Sequence, residues 1–584
     1  MIRKRPLRQH FGPPRRKRQA WRSAAVLLGV GLLLFDKAYS TEPAASNSPI
    51  DVTFVRGGVL SRKPVRIGEL SEGNKAPDFS QPSDRRYEFT AQLGLIDYRW
   101  TPGNRYEITS GAAFNTLRAP QSCSPYALWK FPLENVRDAA AGGASPDCVV
   151  QFSPEGVLAI GSFEGWLRIV NCRNGATFWS KRLAEGMIKR IAWSADGQTL
   201  YAGEQSPDGR LLAFDLGDRT ETGAPSLAWS VRLADQLESS RPPAHDRFGI
   251  YTLPAVYDLQ TTPDGRVLVA GTHRWTIDGK NQSRSLLACY SREGKLVWQF
   301  PNEKPSNQSW GLTFFACDPQ GKRVVCLATP GEDATPPAKN GAAIFLQLDG
   351  QTGAIVGQAE IQPLKPYFDR VESWDSVSIS AAGDRGVVGL NDGRALLFEF
   401  GTAGPKLLRE LDLATPMLVG DIPIVAAASY ARFHGNQLCL QTQNTHIPFG
   451  NSQAANRPPI AHRGANTLTV CDADGNPQWL YRGPFSLSGS WADRPKSGNP
   501  RWLIVACREE PGAAESGNFG LLAFDLQAKG SGIERLVYYY PTEGPAMFTA
   551  DISPNGRYIA VAETPTPTPD GRDLYGTYQV HVLH

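Results

Sequence analysis

A unit recurs along most of this chain: an apolar strand, a turn centred on glycine, a second apolar strand, and a third strand ending in acidic or turn residues. The turns are plainest at Phe152-Ser153-Pro154-Glu155-Gly156, Trp193-Ser194-Ala195-Asp196-Gly197, Thr262-Pro263-Asp264-Gly265, Asp318-Pro319-Gln320-Gly321 and Ser553-Pro554-Asn555-Gly556. A repeat of roughly 40–60 residues cannot bury its own apolar faces, so stacked copies must supply the core. The expected class is all-β, a single β-propeller of about eight four-stranded blades, with about seven as the alternative. Gly (57) and Pro (45) are abundant enough to oppose long helices, and no amphipathic helical stretch is found.

The units read as 148–182, 189–232, 255–300, 310–360, 374–412, 429–482, 500–540 and 545–584. Residues 331–341 and 445–465 are the largest insertions. Such connectors belong on the surface, because burial would strand their backbone polar groups. The last unit lacks a fourth strand. A strand from Phe114–Leu117 or Tyr126–Phe131 is expected to complete it and remove an open sheet edge.

The third strands carry a second signature, as in Leu211-Leu212-Ala213-Phe214-Asp215 and Leu521-Leu522-Ala523-Phe524-Asp525. Three are followed by a Gly with a Trp four residues later: Gly175 and Trp179, Gly294 and Trp298, Gly475 and Trp479. The Gly supplies a turn at positive φ. The Trp starts the outer strand and is expected to pack between blades. Gly156, Gly197, Gly265, Gly321 and Gly556, with Trp179, Trp298 and Trp479, are the structural markers of the repeat.

This pattern resembles the repeat of quinoprotein (pyrroloquinoline quinone, PQQ-like) propellers, in which Ala-x-Asp, a turn Gly and a Trp mark each blade. The Ser-Pro-Asp-Gly-type turns and Phe-Asp ends also resemble WD repeats. The resemblance covers residues 148–584 and implies a propeller, usually eight-bladed in the quinoprotein family. It points to a non-catalytic member. Many catalytic members carry a vicinal disulfide beside the cofactor and a calcium ion held by Glu, Asn and Asp. This chain has no adjacent Cys, and that trio finds no place in it.

The first residues read as an address. Nine Lys or Arg lie between Arg3 and Arg22 without an acid, followed by the apolar run from Ala24 to Phe35 and by Ala38-Tyr39-Ser40. A run of that length suits a signal peptide better than a membrane span. Residues 1–40 are therefore expected to be a signal peptide or N-terminal membrane anchor, 41–110 an irregular stem with a few strands, and 111–584 the propeller. The leader carries +9 of a chain whose net charge is +4, which leaves −5 for the rest. That balance argues against nucleic acid as a partner. Nine Cys allow up to four disulfides in an exported protein. Cys172, Cys289 and Cys471 occupy equivalent places in different blades and read as apolar filler.

Chemical motifs are sparse. Asp472-Ala473-Asp474-Gly475-Asn476 has the oxygen spacing that starts many calcium loops, but position twelve is Gly483. Asp472, Asp474 and Asn476 are thus weak metal candidates, and a hairpin turn is the preferred reading. His446 and His462 flank one insertion and read as loop residues. No hydrolase elbow, metalloprotease or phosphate-loop motif occurs, and no catalytic residue is named. Trp275, Trp310, Trp491, Trp502 and Tyr538-Tyr539-Tyr540 are candidates for contact, with inter-blade packing the preferred reading for any single one.

The sequence thus describes an exported, extracytoplasmic β-propeller in the periplasm or at the cell surface. It would act as a non-catalytic binding or scaffold protein for a protein or other cell-envelope partner. No cofactor is expected, and membrane contact would come only through the N-terminal segment. The alternative is a quinoprotein-type oxidoreductase or calcium-dependent lactonase-like enzyme, binding PQQ or calcium in a central channel.

Overall fold

The computed structural model describes residues 127–584, apart from parts of the connectors, chiefly 141–145, 218–223, 238–249, 303–309, 331–340, 446–461, 509–518 and 568–572. It also describes six strands between residues 51 and 108, among them the sheet Arg86–Ala91, Gly94–Thr101 and Arg105–Ile108. The leader, 1–40, lies outside the described residues.

Eight four-stranded antiparallel blades follow one another: 149–182, 187–232, 255–300, 315–361, 377–412, 422–482, 486–542 and 550–583. They are called blades 1 to 8 below. In each, successive strands pair as neighbours, and the fourth strand is the outermost; in Thr177–Arg182 every residue but Trp179 is exposed. Blade 8 takes its fourth strand from the other end of the chain. Ala127–Pro132 pairs antiparallel with Gln579–Leu583, placing Phe131 opposite Val580 and Trp129 opposite Val582. This closure falls within the second of the two segments expected to provide it.

Two boundaries differ from the sequence reading. Blade 6 begins at Ile422 rather than 429, and blade 7 at Ser486 rather than 500. The first strand of blade 7 reads Ser-Leu-Ser-Gly-Ser-Trp-Ala. Its small polar residues hide the strand from pattern reading, yet all but Trp491 are buried between neighbours.

The first turn of most blades is braced by one side chain. Ser153 Oγ accepts the amides of Glu155 and Val157, Thr262 Oγ1 accepts that of Arg266, and Ser553 Oγ that of Tyr558. The marker glycines then sit at positive φ, 84° at Gly156 and 86° at Gly265.

The core lies between blades rather than within one. Trp298 and Phe300 of blade 3 share a cluster with Val324, Cys326, Leu346 and Leu348 of blade 4. An outer-strand Trp recurs as the clamp. Trp129 donates its indole N–H to the Cys172 carbonyl at 2.8 Å, Trp229 to Arg292 at 2.7 Å, and Trp298 to Gly350 at 3.1 Å. Each ring then covers a turn glycine of the following blade: Gly175, Gly294 and Gly353. Trp179 instead meets Phe214 at 5.3 Å, and Trp479 meets Phe524 at 5.7 Å. Where blade 4 meets blade 5, Phe345 stacks on Phe398 at 4.3 Å. Eight cysteines are described, all unpaired, and seven of them are buried.

These contacts separate two glycines of nearly equal φ. A Cβ at Gly156 would meet nothing within 4 Å, whereas one at Gly294 would lie 2.6 Å from the Trp229 ring. Gly156→Ala should cost about 1 kcal/mol for its backbone alone. Gly294→Ala should cost about 2–4 kcal/mol, because the clamp must also move. Thermal melts of the two variants should rank them in that order; equal melting temperatures would refute the clamp.

Candidate functional site

The blade topology defines two ends of the channel. First strands begin at one end, and second strands hand over to third strands there. The site lies at this end, where the first strands of blades 2 to 6 start. Bulges interrupt three of those strands at equivalent places, between Ile188 and Arg190, Val256 and Asp258, and Ala428 and Tyr430. A bulge re-aims the side chains beside it. Here it frees Lys189 and Arg190 of blade 2 and Tyr257 and Asp258 of blade 3 from strict alternation.

Aromatic rings and cations meet at this mouth. Tyr257 packs edge-on against Phe314 at 6.4 Å, and Phe314 against Trp374 at 5.4 Å. Arg190 lies 5.9 Å from the Phe314 ring. Lys189 and Arg274 lie 5.6 and 5.9 Å from that of Tyr257. Tyr257 and Phe314 are buried, but Trp374 stands 49 % exposed. Arg274 rises from the long hairpin Val267–Ile277 and Lys280–Tyr290, which carries blade 3 beyond its neighbours. Lys189 pairs with Asp147. Arg190 donates to the Lys189 carbonyl at 2.9 Å, and neither it nor Arg274 makes an ion pair among the described residues.

Deeper in, the charges are paired. Asp375 accepts from Tyr430 Oη at 3.0 Å and Arg432 Nη2 at 2.5 Å, bridging blades 5 and 6. Its φ of 46° is one that Asp tolerates better than most residues. Asp258 accepts the amide of Leu259 at 2.8 Å and, from blade 4, that of Phe315 at 3.2 Å. Burial, then the neighbouring Asp375 charge, push the Asp258 carboxyl up to about 6 against the pull of Arg190. Burial and the adjacent Asp375 likewise raise Tyr430, which stays a neutral donor.

The same strands are stitched to each other around the channel. An innermost strand has no further strand to accept its amides, so the preceding blade supplies acceptors. Gln260 Oε1 takes the Cys317 amide, Ser378 Oγ that of Phe433, and Asp551 Oδ2 that of Phe152 across the closure. These three acceptors occupy equivalent positions. The channel wall is thereby fixed by side-chain chemistry as well as by packing.

The residues singled out from sequence lie elsewhere. Asp472, Asp474 and Asn476 form a hairpin turn: Asp472 Oδ1 accepts the amides of Asp474 and Asn476, and Oδ2 accepts the Asn476 side chain at 2.9 Å. Those oxygens already have donors, an arrangement that does not suit a cation. Among the described residues, no group of three His, Cys, Asp or Glu side chains could hold a metal ion. His462 Nδ1 accepts the Gly464 amide, while His446 lies outside the described residues. Trp275 and Trp310 are buried, Trp491 and Trp502 pack between blades 7 and 8, and Tyr540 bonds His581 inside the sheet. Each of these aromatics takes part in packing, the reading preferred for any single one of them. His581 also meets Glu563 at 2.7 Å, but the chain from Tyr540 to Glu563 is sealed from solvent. The 331–341 and 445–465 connectors both join second to third strands and so leave from the same end as the site. Apart from their ends they lie outside the described residues.

No protein-family model matches the chain, and no curated protein matches it. Solved structures do. Sqt1 of Chaetomium thermophilum superposes with a TM-score of 0.50 at 10% identity, covering 79% of this chain and 98% of that one. The same protein bound to the N-terminus of ribosomal protein L10 gives 0.45 at 11% identity, covering 76% and 97%. The β-propeller domain of Myceliophteria thermophila Cps50 (Swd1) gives 0.37 at 11% identity, covering 74% and 95%. The likeness to Sqt1 at this identity shows the fold alone, and with the eight described blades the chain is a β-propeller.

The channel makes one prediction about pH. A carboxyl held near 6 in the fold and near about 4 when unfolded binds more protons folded than unfolded in that interval. Its contribution to stability is therefore greatest below pH 4 and is lost as pH rises through about 6. Asp258→Asn removes the titration. The melting temperature of Asp258→Asn relative to wild type should rise between pH 4 and 7, by the equivalent of about 1–3 kcal/mol. A difference that stays flat with pH would show that Asp258 titrates normally.

Proposed function

We propose that this propeller is a non-catalytic binding platform that receives a protein segment at the channel mouth. The observation that carries the reading is Trp374, half exposed at the end of the edge-on row Tyr257–Phe314–Trp374. An aromatic held by rigid neighbours offers contact area at little entropic cost. The surrounding strands are stitched blade to blade, so the mouth is preformed and need not be ordered on binding. The 331–341 and 445–465 connectors leave from the same end.

We further propose that the chain is exported through its first 40 residues and works in the cell envelope, in the periplasm or at the surface. The basic n-region, the apolar run Ala24–Phe35 and Ala38-Tyr39-Ser40 support this. Fusion of residues 1–60 to alkaline phosphatase should give an active reporter in a bacterial host, since that enzyme requires an oxidising compartment. An inactive but abundant fusion would remove export from the reading.

The binding reading is tested by selecting a displayed random-peptide library on the purified full chain. Enriched peptides should lose about tenfold or more in affinity for Trp374→Ala, a change of about 1.4 kcal/mol or more. Peptides that bind the variant as well as wild type would place the platform elsewhere.

A further inference from the structure

We propose that the occupant of the channel mouth is an acidic polypeptide segment bearing an aromatic side chain. The proposal rests on the binding-platform reading and adds the chemistry of the partner. Four cations reach this mouth: Lys189, Arg190, Arg274 and Arg432. Two are spoken for within the protein, Lys189 by Asp147 and Arg432 by Asp375. Arg190 and Arg274 are left without a carboxylate partner among the described residues, on either side of the Tyr257–Phe314 pair. The remaining acid of the mouth, Asp258, already spends its oxygens on the amides of Leu259 and Phe315.

A guanidinium beside an aromatic ring keeps N–H groups available to a partner's acceptors; Arg190 commits Nη1 to the Lys189 carbonyl and has further N–H groups to offer. Two such groups, with a half-exposed Trp374 nearby, match a ligand that offers carboxylates and one ring. Carboxylates would pair with the arginines in charge-assisted hydrogen bonds, and an aromatic side chain would stack against Trp374. Nucleic acid offers anions and rings too. The chain beyond residue 40 carries a net −5, however, and so lacks the broad positive field that phosphate backbones require. A local positive mouth on a negative body favours a short acidic segment docking in one place.

The test is fluorescence anisotropy of the full chain with a labelled random copolymer of glutamate and tyrosine. A copolymer of lysine and tyrosine and a single-stranded oligothymidine serve as comparisons. The glutamate–tyrosine polymer should bind, and binding should weaken as salt is raised. Arg190→Glu with Arg274→Glu should weaken it about tenfold or more, since each lost pair becomes a repulsion. Reversing Arg173 and Arg557, which lie in turns at the opposite end of the channel, changes net charge equally and should leave binding within about twofold. Circular dichroism checks that each variant folds. Should the double reversal fail to fold, Arg274→Gln at its exposed position should still weaken binding about threefold.

Equal or tighter binding of the lysine polymer or the oligothymidine overturns the acidic assignment. So does a double reversal that leaves binding intact. If library peptides then still depend on Trp374, the platform stands and only the partner's chemistry falls. If neither the arginines nor Trp374 affect any bound peptide, both readings fall.

Discussion

The contact on which this fold depends is the outer-strand tryptophan laid over the next blade's turn. One side chain performs three tasks there. It buries a large apolar face, donates its indole N–H to a backbone carbonyl, and occupies the space a glycine leaves open. The device closes the ring as well as joining neighbours, because Trp129 makes the same contact to Cys172 that Trp229 makes to Arg292. At Gly175, Gly294 and Gly353 the missing Cβ is therefore as much a requirement of packing as of backbone conformation. The Gly and the Trp four residues later belong to one blade in sequence, but the Trp that covers Gly175, Gly294 or Gly353 comes from the blade before.

Closure determines what the channel can tolerate. The first strands have one edge with no strand beyond it, and their amides are satisfied by Gln260, Ser378 and Asp551 from adjoining blades. A rigid wall of this kind can hold groups that a softer structure would expel: a carboxyl raised by burial at Asp258, a non-glycine residue at positive φ at Asp375, and a cluster of cations. Such features cost free energy, and surrounding packing offsets it. They gather where the first strands begin, and the bulges gather there too.

Much of the architecture was legible in the sequence because the repeat repeats its exceptions. Ser-Pro-x-Gly turns recur where a side chain must brace a hairpin, and the missing fourth strand of the last unit announced closure by an N-terminal one. The first strands of blades 6 and 7 were misplaced because inner strands are held by neighbours on both faces. Ser486–Ala492 shows no alternation, since small residues suffice where other blades supply the bulk. The mouth was illegible for a related reason. Arg190, Asp258, Phe314, Trp374 and Arg432 are scattered over more than two hundred residues and share only their place in the repeat. Reading them required the blade register and the bulges. The exposed-looking aromatics of the sequence, Trp275 and Trp310 above all, turned out to be core. A Trp in a repeat protein is more often part of the scaffold than of the site, and Trp374 is distinguished by standing outside the repeat's strands.

The chemistry of the described cysteines fits the same division between scaffold and site. Burial pushes the thiols of Cys289, Cys317, Cys326 and Cys471 well up, to about 11 or 12, so they stay protonated and inert. Cys289, Cys326 and Cys471 fill space between sheets, as small apolar residues do. The fold therefore takes its rigidity from ring closure and aromatic clamps, without a covalent staple among the described residues. The end where the cations and Trp374 stand is thus held by the same blade-to-blade contacts as the rest of the ring.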